Sequence, residues 1–187
     1  MSNKKRSRII GIDPGTNFLG YAIIEIIGRE IKLIEVDVLK MQKGLEAHEK
    51  LSVIFQRISF LIEQHRPDTL SIEAPFFGKN IQSMLKLGRA QGIAIAAGIN
   101  KGLDIVEYAP RKIKQSVTGN GNASKEQVKA MIEQLFYLRS PITSFDASDA
   151  LAVALCHHYQ TVNGLKAGGG SSSWKKFLAD NPGRVKR

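Results

Sequence analysis

The stretch Ile9-Ile10-Gly11-Ile12-Asp13-Pro14-Gly15-Thr16 decides how the rest of this chain can be arranged. Its isoleucines are β-branched and favour a buried strand. Pro14-Gly15 ends that strand, because proline has no N–H to continue a ladder and glycine accepts turn geometry. Asp13 is therefore expected at the carboxyl end of a strand, where an α/β fold opens its ligand crevice. Taken alone, an aspartate before Pro-Gly is most simply a turn residue, so its role depends on whether other carboxylates converge on it.

The next segments build a mixed sheet around this strand. Two apolar runs, 20–27 and 31–38, are separated by a tight turn and predict an antiparallel meander with the first strand. A helix over 46–65, with apolar residues at helical spacing, precedes a strand over 68–73 that ends in Glu73. Strand, helix and strand form a parallel crossover, so Glu73 is expected beside the aspartate of the first strand.

Five more elements complete the predicted domain: a helix over 80–100, a short strand over 103–106, and helices over 110–117, 124–136 and 146–158. The helix over 80–100 is rich in glycine and alanine, which permit close packing within the fold or across a dimer. Ser124 and Gln127 have the capping-box spacing that marks a helix start. We expect the last helix to end near His157-His158, where positive charge complements the helix dipole.

Two further carboxylates open that last helix. Asp146 and Asp149 are three residues apart and so share a helix face. Near the helix N-terminus, negative charge also suits the dipole, so the pair could be a cap with no chemistry. Carboxylates brought together with Asp13 and Glu73 would repel unless a cation were present. Oxygen ligands favour Mg²⁺ or Mn²⁺, and two such ions about 3.5–4 Å apart can promote phosphodiester cleavage.

Composition sets the broad class. The chain has 187 residues, 43% hydrophobic and 24% charged, which is typical of one globular domain. Its single cysteine, Cys156, excludes an internal disulfide and a multi-cysteine zinc site. No apolar run approaches a membrane span, and the basic N-terminus lacks the apolar core of a secretory signal. We therefore expect a cytoplasmic protein with no membrane partner.

The charge is concentrated at the two ends of the chain. Of the net charge of +10, residues 1–8 carry +4 and residues 164–187 carry +5. We therefore predict a basic N-terminal extension (1–8), a folded domain (9–163) and a flexible basic tail (164–187) with a Gly/Ser-rich start. Within the domain, residues 74–103 include Lys79 and contain no acid. Such stretches suit a polyanion partner or simply improve solubility.

Several motifs together make the sequence recognisable. The segments are IIGIDPGTNFLGYAII, SIEAPFFGKN, MLKLGRAQGIAIAAG, YAPRKIKQSVTGNGNASKEQV and DASDALAVALCHH. In this order they resemble the RuvC family of Holliday-junction resolvases, over about residues 9–160. The resemblance implies an RNase H-like α/β fold: a five-stranded mixed sheet, with an antiparallel meander plus parallel strands, flanked by helices. It also implies a homodimer with the small-residue helix at or near the interface.

The resemblance further implies a Mg²⁺-dependent crossover junction endodeoxyribonuclease. Such an enzyme resolves four-way DNA junctions by paired symmetric nicks in homologous recombination and DNA repair. It would use two Mg²⁺ ions per active site, with Mn²⁺ as a substitute, and would work with the RuvA–RuvB branch-migration complex.

Individual residues match the family's functional positions. The matches to its catalytic metal ligands are Asp13, Glu73, Asp146 and Asp149. Phe76 matches an aromatic inserted at the junction centre. Lys114 and Lys125 match basic residues near the scissile phosphate, acting either as catalysts or as phosphate clamps. Lys79 is expected to contact DNA. Ala74-Pro75 departs from the usual pattern and could alter the loop that bears Phe76.

Three other functions remain open on the sequence alone. Actin-like ATPases and sugar kinases share the fold, but they need two such domains and this chain has one. A junction-binding module without catalysis would not need four carboxylates. A relative acting on RNA would be distinguished by comparing junction DNA with hybrid substrates.

Overall fold

The computed structural model describes residues 6–75, 80–138 and 140–167. The strands are β1 (Arg6–Asp13), β2 (Phe18–Ile27), β3 (Glu30–Lys40), β4 (Thr69–Glu73) and β5 (Asp104–Tyr108). The helices are α1 (Ala47–His65), α2 (Ile81–Asn100), α3 (Pro110–Thr118), α4 (Lys125–Leu135) and α5 (Phe145–Ala167).

The strands form one mixed sheet in the order β3-β2-β1-β4-β5. β1 pairs antiparallel with β2, and β2 with β3, which confirms the meander. β4 runs parallel to β1 and β5 parallel to β4, which confirms the crossover. Because Ile12 pairs with Ile72, the chain leaves β1 at Asp13 and β4 at Glu73 on the same edge of the sheet.

Helices cover both faces of the sheet, because alternate residues of the central strand point to opposite sides. Ile10 and Ile12 belong to a buried cluster with α1 and α2. Ile9 belongs to a second cluster, in which α5 contributes more residues than any other element and α3 and α4 also take part. Burial of apolar surface in these two clusters holds three layers together: α1 and α2, the sheet, and the helices α3, α4 and α5.

The folded domain extends beyond its predicted limits at both ends. β1 begins at Arg6, so part of the predicted N-terminal extension belongs to the sheet. Arg6 and Arg8 both form ion pairs with Glu25 of β2, at 2.5 and 2.7 Å. α5 continues to Ala167, beyond the predicted domain limit at 163. Residues 168–187 lie outside the described residues, so the division into domain and tail stays a prediction.

The expected helix end at His157-His158 is wrong. His157 lies within α5 and is buried, and its Nδ1 is 2.9 Å from the hydroxyl of Tyr108 on β5. Burial lowers its pKa, so it is not the cation that the prediction required. Within the described ranges, no helix is long and apolar enough to cross a bilayer.

Candidate active site

Two glycines bring the start of α5 against the sheet. A Cβ atom on Gly20 of β2 would overlap the carbonyl oxygen of Asp146. A Cβ atom on Gly11 of β1 would overlap the carbonyl oxygen of Ala150. Only residues without a side chain allow this approach, so Gly11 and Gly20 fix where the first turns of α5 lie. Asp146 and Asp149 therefore reach the edge where β1 and β4 end.

The structure brings together the four carboxylates that the sequence singled out. Asp13, Glu73 and Asp149 line one cavity of about 100 Å³. Asp146 and Asp13 line an adjoining groove, so Asp13 lies at the centre of the set. Ser144, just before α5, holds Asp146: its hydroxyl accepts from the backbone N–H and donates to Oδ2, at 3.2 and 3.3 Å.

Burial and mutual repulsion raise the pKa values of two carboxylates in this cluster. Burial, followed by the charges of Glu73 and Asp149, raises the pKa of Asp13 to about 8. Burial and the charge of Asp149 raise the pKa of Glu73 to about 7. Within the described part of the chain, the carboxylate of Asp13 accepts no hydrogen bond, so it is not the turn residue considered from sequence. Such a site holds protons near neutral pH unless a cation compensates the charge.

Two lysines line the same cavity as Asp13 and Glu73. Lys125 begins α4, whose N-terminus is capped by Ser124 and Gln127 as the sequence predicted. The Nζ atom of Lys125 lies 2.6 Å from Oδ2 of Asp149. Burial alone would lower the pKa of Lys125, but its hydrogen bond and ion pair with Asp149 raise it. Lys114 of α3 contributes a positive charge that partly offsets the rise in the pKa of Glu73.

The carboxylates are not arranged as a closed metal cage. Across the described residues, no three His, Cys, Asp or Glu side chains are placed to hold one ion together. The Lys125 ammonium instead lies against Asp149 and partly compensates the negative charge. The donor set nevertheless fits a hard cation, because every candidate ligand is a carboxylate oxygen.

Sequence reasoning missed residues of α2 that support the site. The buried amide of Gln91 donates to the backbone oxygen of Glu73 at 3.4 Å and to Glu107 Oε2 at 2.6 Å. It therefore ties the end of β4 to β5. Ser83 and Lys86 line the groove that contains Asp13. The signal for Lys86 was present, since it belongs to the acid-free stretch, whereas nothing in the pattern identified Gln91.

Two predicted DNA-binding residues, Phe76 and Lys79, lie outside the described residues, so their roles stay predictions.

The fold and the acidic site define a class. A five-stranded mixed sheet of this order, with carboxylates at the ends of β1 and β4 and at the start of α5, is that of an RNase H-like nuclease. The model of the family "Crossover junction endodeoxyribonuclease RuvC" matches residues 9–157. The chain belongs to this RuvC family, a family of metal-dependent nucleases, as the sequence motifs indicated.

Individual relatives are similar in sequence to this chain over nearly its whole length. The crossover junction endodeoxyribonuclease RuvC of Cytophaga hutchinsonii is 54% identical, covering 95% of this chain and 88% of the relative. That of Porphyromonas gingivalis is 47% identical and covers 100% of both. The structure of Thermus thermophilus RuvC in complex with Holliday junction substrate superposes with a TM-score of 0.79 at 29% identity. That superposition covers 84% of this chain and 96% of the Thermus chain.

Proposed function

We propose that this chain resolves four-way DNA junctions by cutting two opposing strands symmetrically, using Mg²⁺. The observation that carries the proposal is the convergence of Asp13, Glu73 and Asp149 with two lysines in one cavity, with Asp146 adjoining. Carboxylates supply ligands for cations, and lysines supply contacts for a phosphate. Membership of the RuvC family supports the junction as substrate.

The metal requirement follows from the charge of the site. Asp13 and Glu73 have raised pKa values, so binding a divalent cation must displace protons from them. We propose two Mg²⁺ ions, replaceable by Mn²⁺, held by Asp13, Glu73, Asp146 and Asp149. When bound, such ions activate the attacking water and stabilise charge on the leaving 3′ oxygen.

Lys125 would then change partner. Without a metal, its ammonium compensates Asp149 at 2.6 Å. With the carboxylate charge compensated by a bound cation, the Lys125 ammonium would be free to contact the scissile phosphate. Lys114 lines the same cavity and would contact a neighbouring phosphate oxygen. In this proposal Lys125 stabilises charge that develops during cleavage, and Lys114 positions the strand.

A dimer would supply the second active site, and α2 carries a surface suited to it. Ile81, Leu85 and Ile99 are 71%, 59% and 63% exposed. On the same helix face, a Cβ atom on Gly88 or Gly92 would meet nothing within 4 Å. Each helical glycine costs about 1 kcal/mol relative to alanine, and no contact in the described part of the chain explains that cost. We propose that α2 packs against its copy across a two-fold axis.

The wider setting rests on the family resemblance. We propose that the enzyme acts in homologous recombination and DNA repair, together with the RuvA–RuvB branch-migration complex. Its substrate places it in the cytoplasm with the chromosome. Phe76 is proposed to stack at the junction centre and Lys79 to contact the DNA backbone.

The test is cleavage of a synthetic four-way junction with and without Mg²⁺. We expect metal-dependent nicks at symmetric positions on two opposing strands, leaving ends that a ligase can seal. Linear duplex of the same sequence is the control substrate. Tight junction binding without nicking in either Mg²⁺ or Mn²⁺ would instead establish a binding module without catalysis.

A further inference from the structure

A second groove opens beside the active site. It has a volume of about 810 Å³ and lies between the β2–β3 edge and the loop that leads into α5. Its walls include Phe18, Lys40, Ser140, Thr143, Phe145 and Asp146. Apart from Asp146, none of these six takes part in the proposed chemistry.

This groove adjoins the catalytic site. Phe18 and Asp146 line it, and both also line the groove that contains Asp13. Asp13 in turn lines the cavity of Lys114 and Lys125. An extended strand whose phosphate lies at Asp13 would have a neighbouring nucleotide beside the groove of Phe18.

The walls of the groove have the chemistry of a nucleotide site. Phe18 is 52% exposed and Phe145 is 41% exposed, so both rings are available for stacking. Lys40 and Asp37 both line the groove, and Nζ of Lys129 lies over one face of the Phe145 ring, 5.5 Å from its centroid. Aromatic faces beside ammonium groups are the combination that binds single-stranded nucleic acid. The hydroxyl of Thr143 adds a hydrogen-bonding group at the wall.

We propose that Phe18 and Phe145 bind an unstacked nucleobase of the cleaved strand, next to the scissile phosphate, and thereby influence which sequences are cut. This proposal rests on the proposed function, because it needs a DNA strand at Asp13. An aromatic face accepts any base, so it favours bases that stack strongly rather than reading one hydrogen-bond pattern. Phe145 directly precedes Asp146, so stacking there would also steady the start of α5.

The test compares Phe18→Ala and Phe145→Ala with Phe60→Ala. Phe60 lies on α1 and is as exposed as Phe18, at 52%, so it controls for the loss of an exposed ring. The substrates are four-way junctions that carry one abasic site at each position flanking the cleavage point. We expect kcat/KM on the intact junction to fall about 5- to 150-fold in each groove variant and to stay unchanged in Phe60→Ala. At one position the abasic site should slow the wild type by a similar factor and leave the groove variants unaffected.

A binding readout separates this proposal from the proposed function. With Asp13→Asn as the background, 2-aminopurine at the sensitive position should gain fluorescence on binding, because it leaves the quenching stack of its neighbouring bases, and Phe18→Ala should reduce that gain. A wild type that binds junctions but cuts none would refute the proposed function while the fluorescence still tests the groove. Equal losses on intact and abasic junctions, or wild-type behaviour of both groove variants, would overturn the base-binding role. Phe18→Leu, which keeps an apolar side chain without a ring, should behave like Phe18→Ala if stacking matters.

Discussion

Replacing Asp13 with asparagine should abolish cleavage and, at the same time, stabilise the metal-free protein. The side chain lies at the centre of the acidic cluster, so its removal takes away a metal ligand. Junction binding should persist or tighten, because one negative charge near the phosphate is removed. Asparagine has nearly the same shape as a protonated aspartate, so the packing around residue 13 should be preserved.

The sign of the stability effect follows from the raised pKa. Folding raises the pKa of Asp13 from 3.8 to about 8, mainly through burial and the charge of Glu73. The folded chain therefore keeps a proton that the unfolded chain releases, and the stability of the metal-free wild type falls as the pH rises between these two values. Between about pH 5 and about pH 9, the free energy of unfolding of the metal-free wild type should fall by about 4 kcal/mol through this one group.

The assay is thermal unfolding in EDTA across that pH range. For a chain of this size, about 4 kcal/mol corresponds to about 8–16 °C in Tm. The Tm advantage of Asp13→Asn over the wild type should thus grow from small at acid pH to about 8–16 °C at alkaline pH. Mg²⁺ should stabilise the wild type at alkaline pH and have little effect on the variant. Asp104→Asn, which removes an exposed carboxylate on β5, is the matched control.

Parallel pH profiles for Asp13→Asn and the wild type would refute the buried-charge reasoning. Full cleavage by the variant would refute the assignment of Asp13 as a metal ligand.

Three further changes test the site, the dimer and the tail. Gly20→Ala should lower single-turnover cleavage by about 100-fold, because the added methyl group pushes Asp146 out of place; normal cleavage would show that α5 adjusts without cost. Gly92→Leu should shift the protein from dimer to monomer in sedimentation velocity, since it fills the exposed face of α2, and an unchanged dimer would place the interface elsewhere. Residues 168–187 carry +4 of the net charge. Deleting them should make the slope of log affinity against log salt concentration shallower, on duplex and on junction alike. The slope should change by about 0.9 for each phosphate that the tail neutralises. Single-turnover cleavage at saturating protein should not change, and an unchanged salt slope would remove the DNA-binding role of the tail.

The sequence by itself determined the sheet and half of the acidic site. β-Branched runs placed the strands, and Pro14-Gly15 put Asp13 at a strand end. The crossover rule then placed Glu73 beside it, because parallel strands joined by a helix end at the same edge. Periodicity also showed that Asp146 and Asp149 share a helix face, and the family resemblance assigned all four to one site.

Only the tertiary structure decided how α5 meets that edge and what surrounds it. Gly11 and Gly20 allow the close approach, but their role is visible only when the partner carbonyls are in place. The same holds for Gln91, whose amide donates hydrogen bonds to Glu73 of β4 and Glu107 of β5. Phe18 and Phe145 are far apart in sequence and line one groove only because β2 and α5 pack together. Local patterns specify elements and their buried faces, whereas contacts between distant segments depend on the shapes of the packed surfaces.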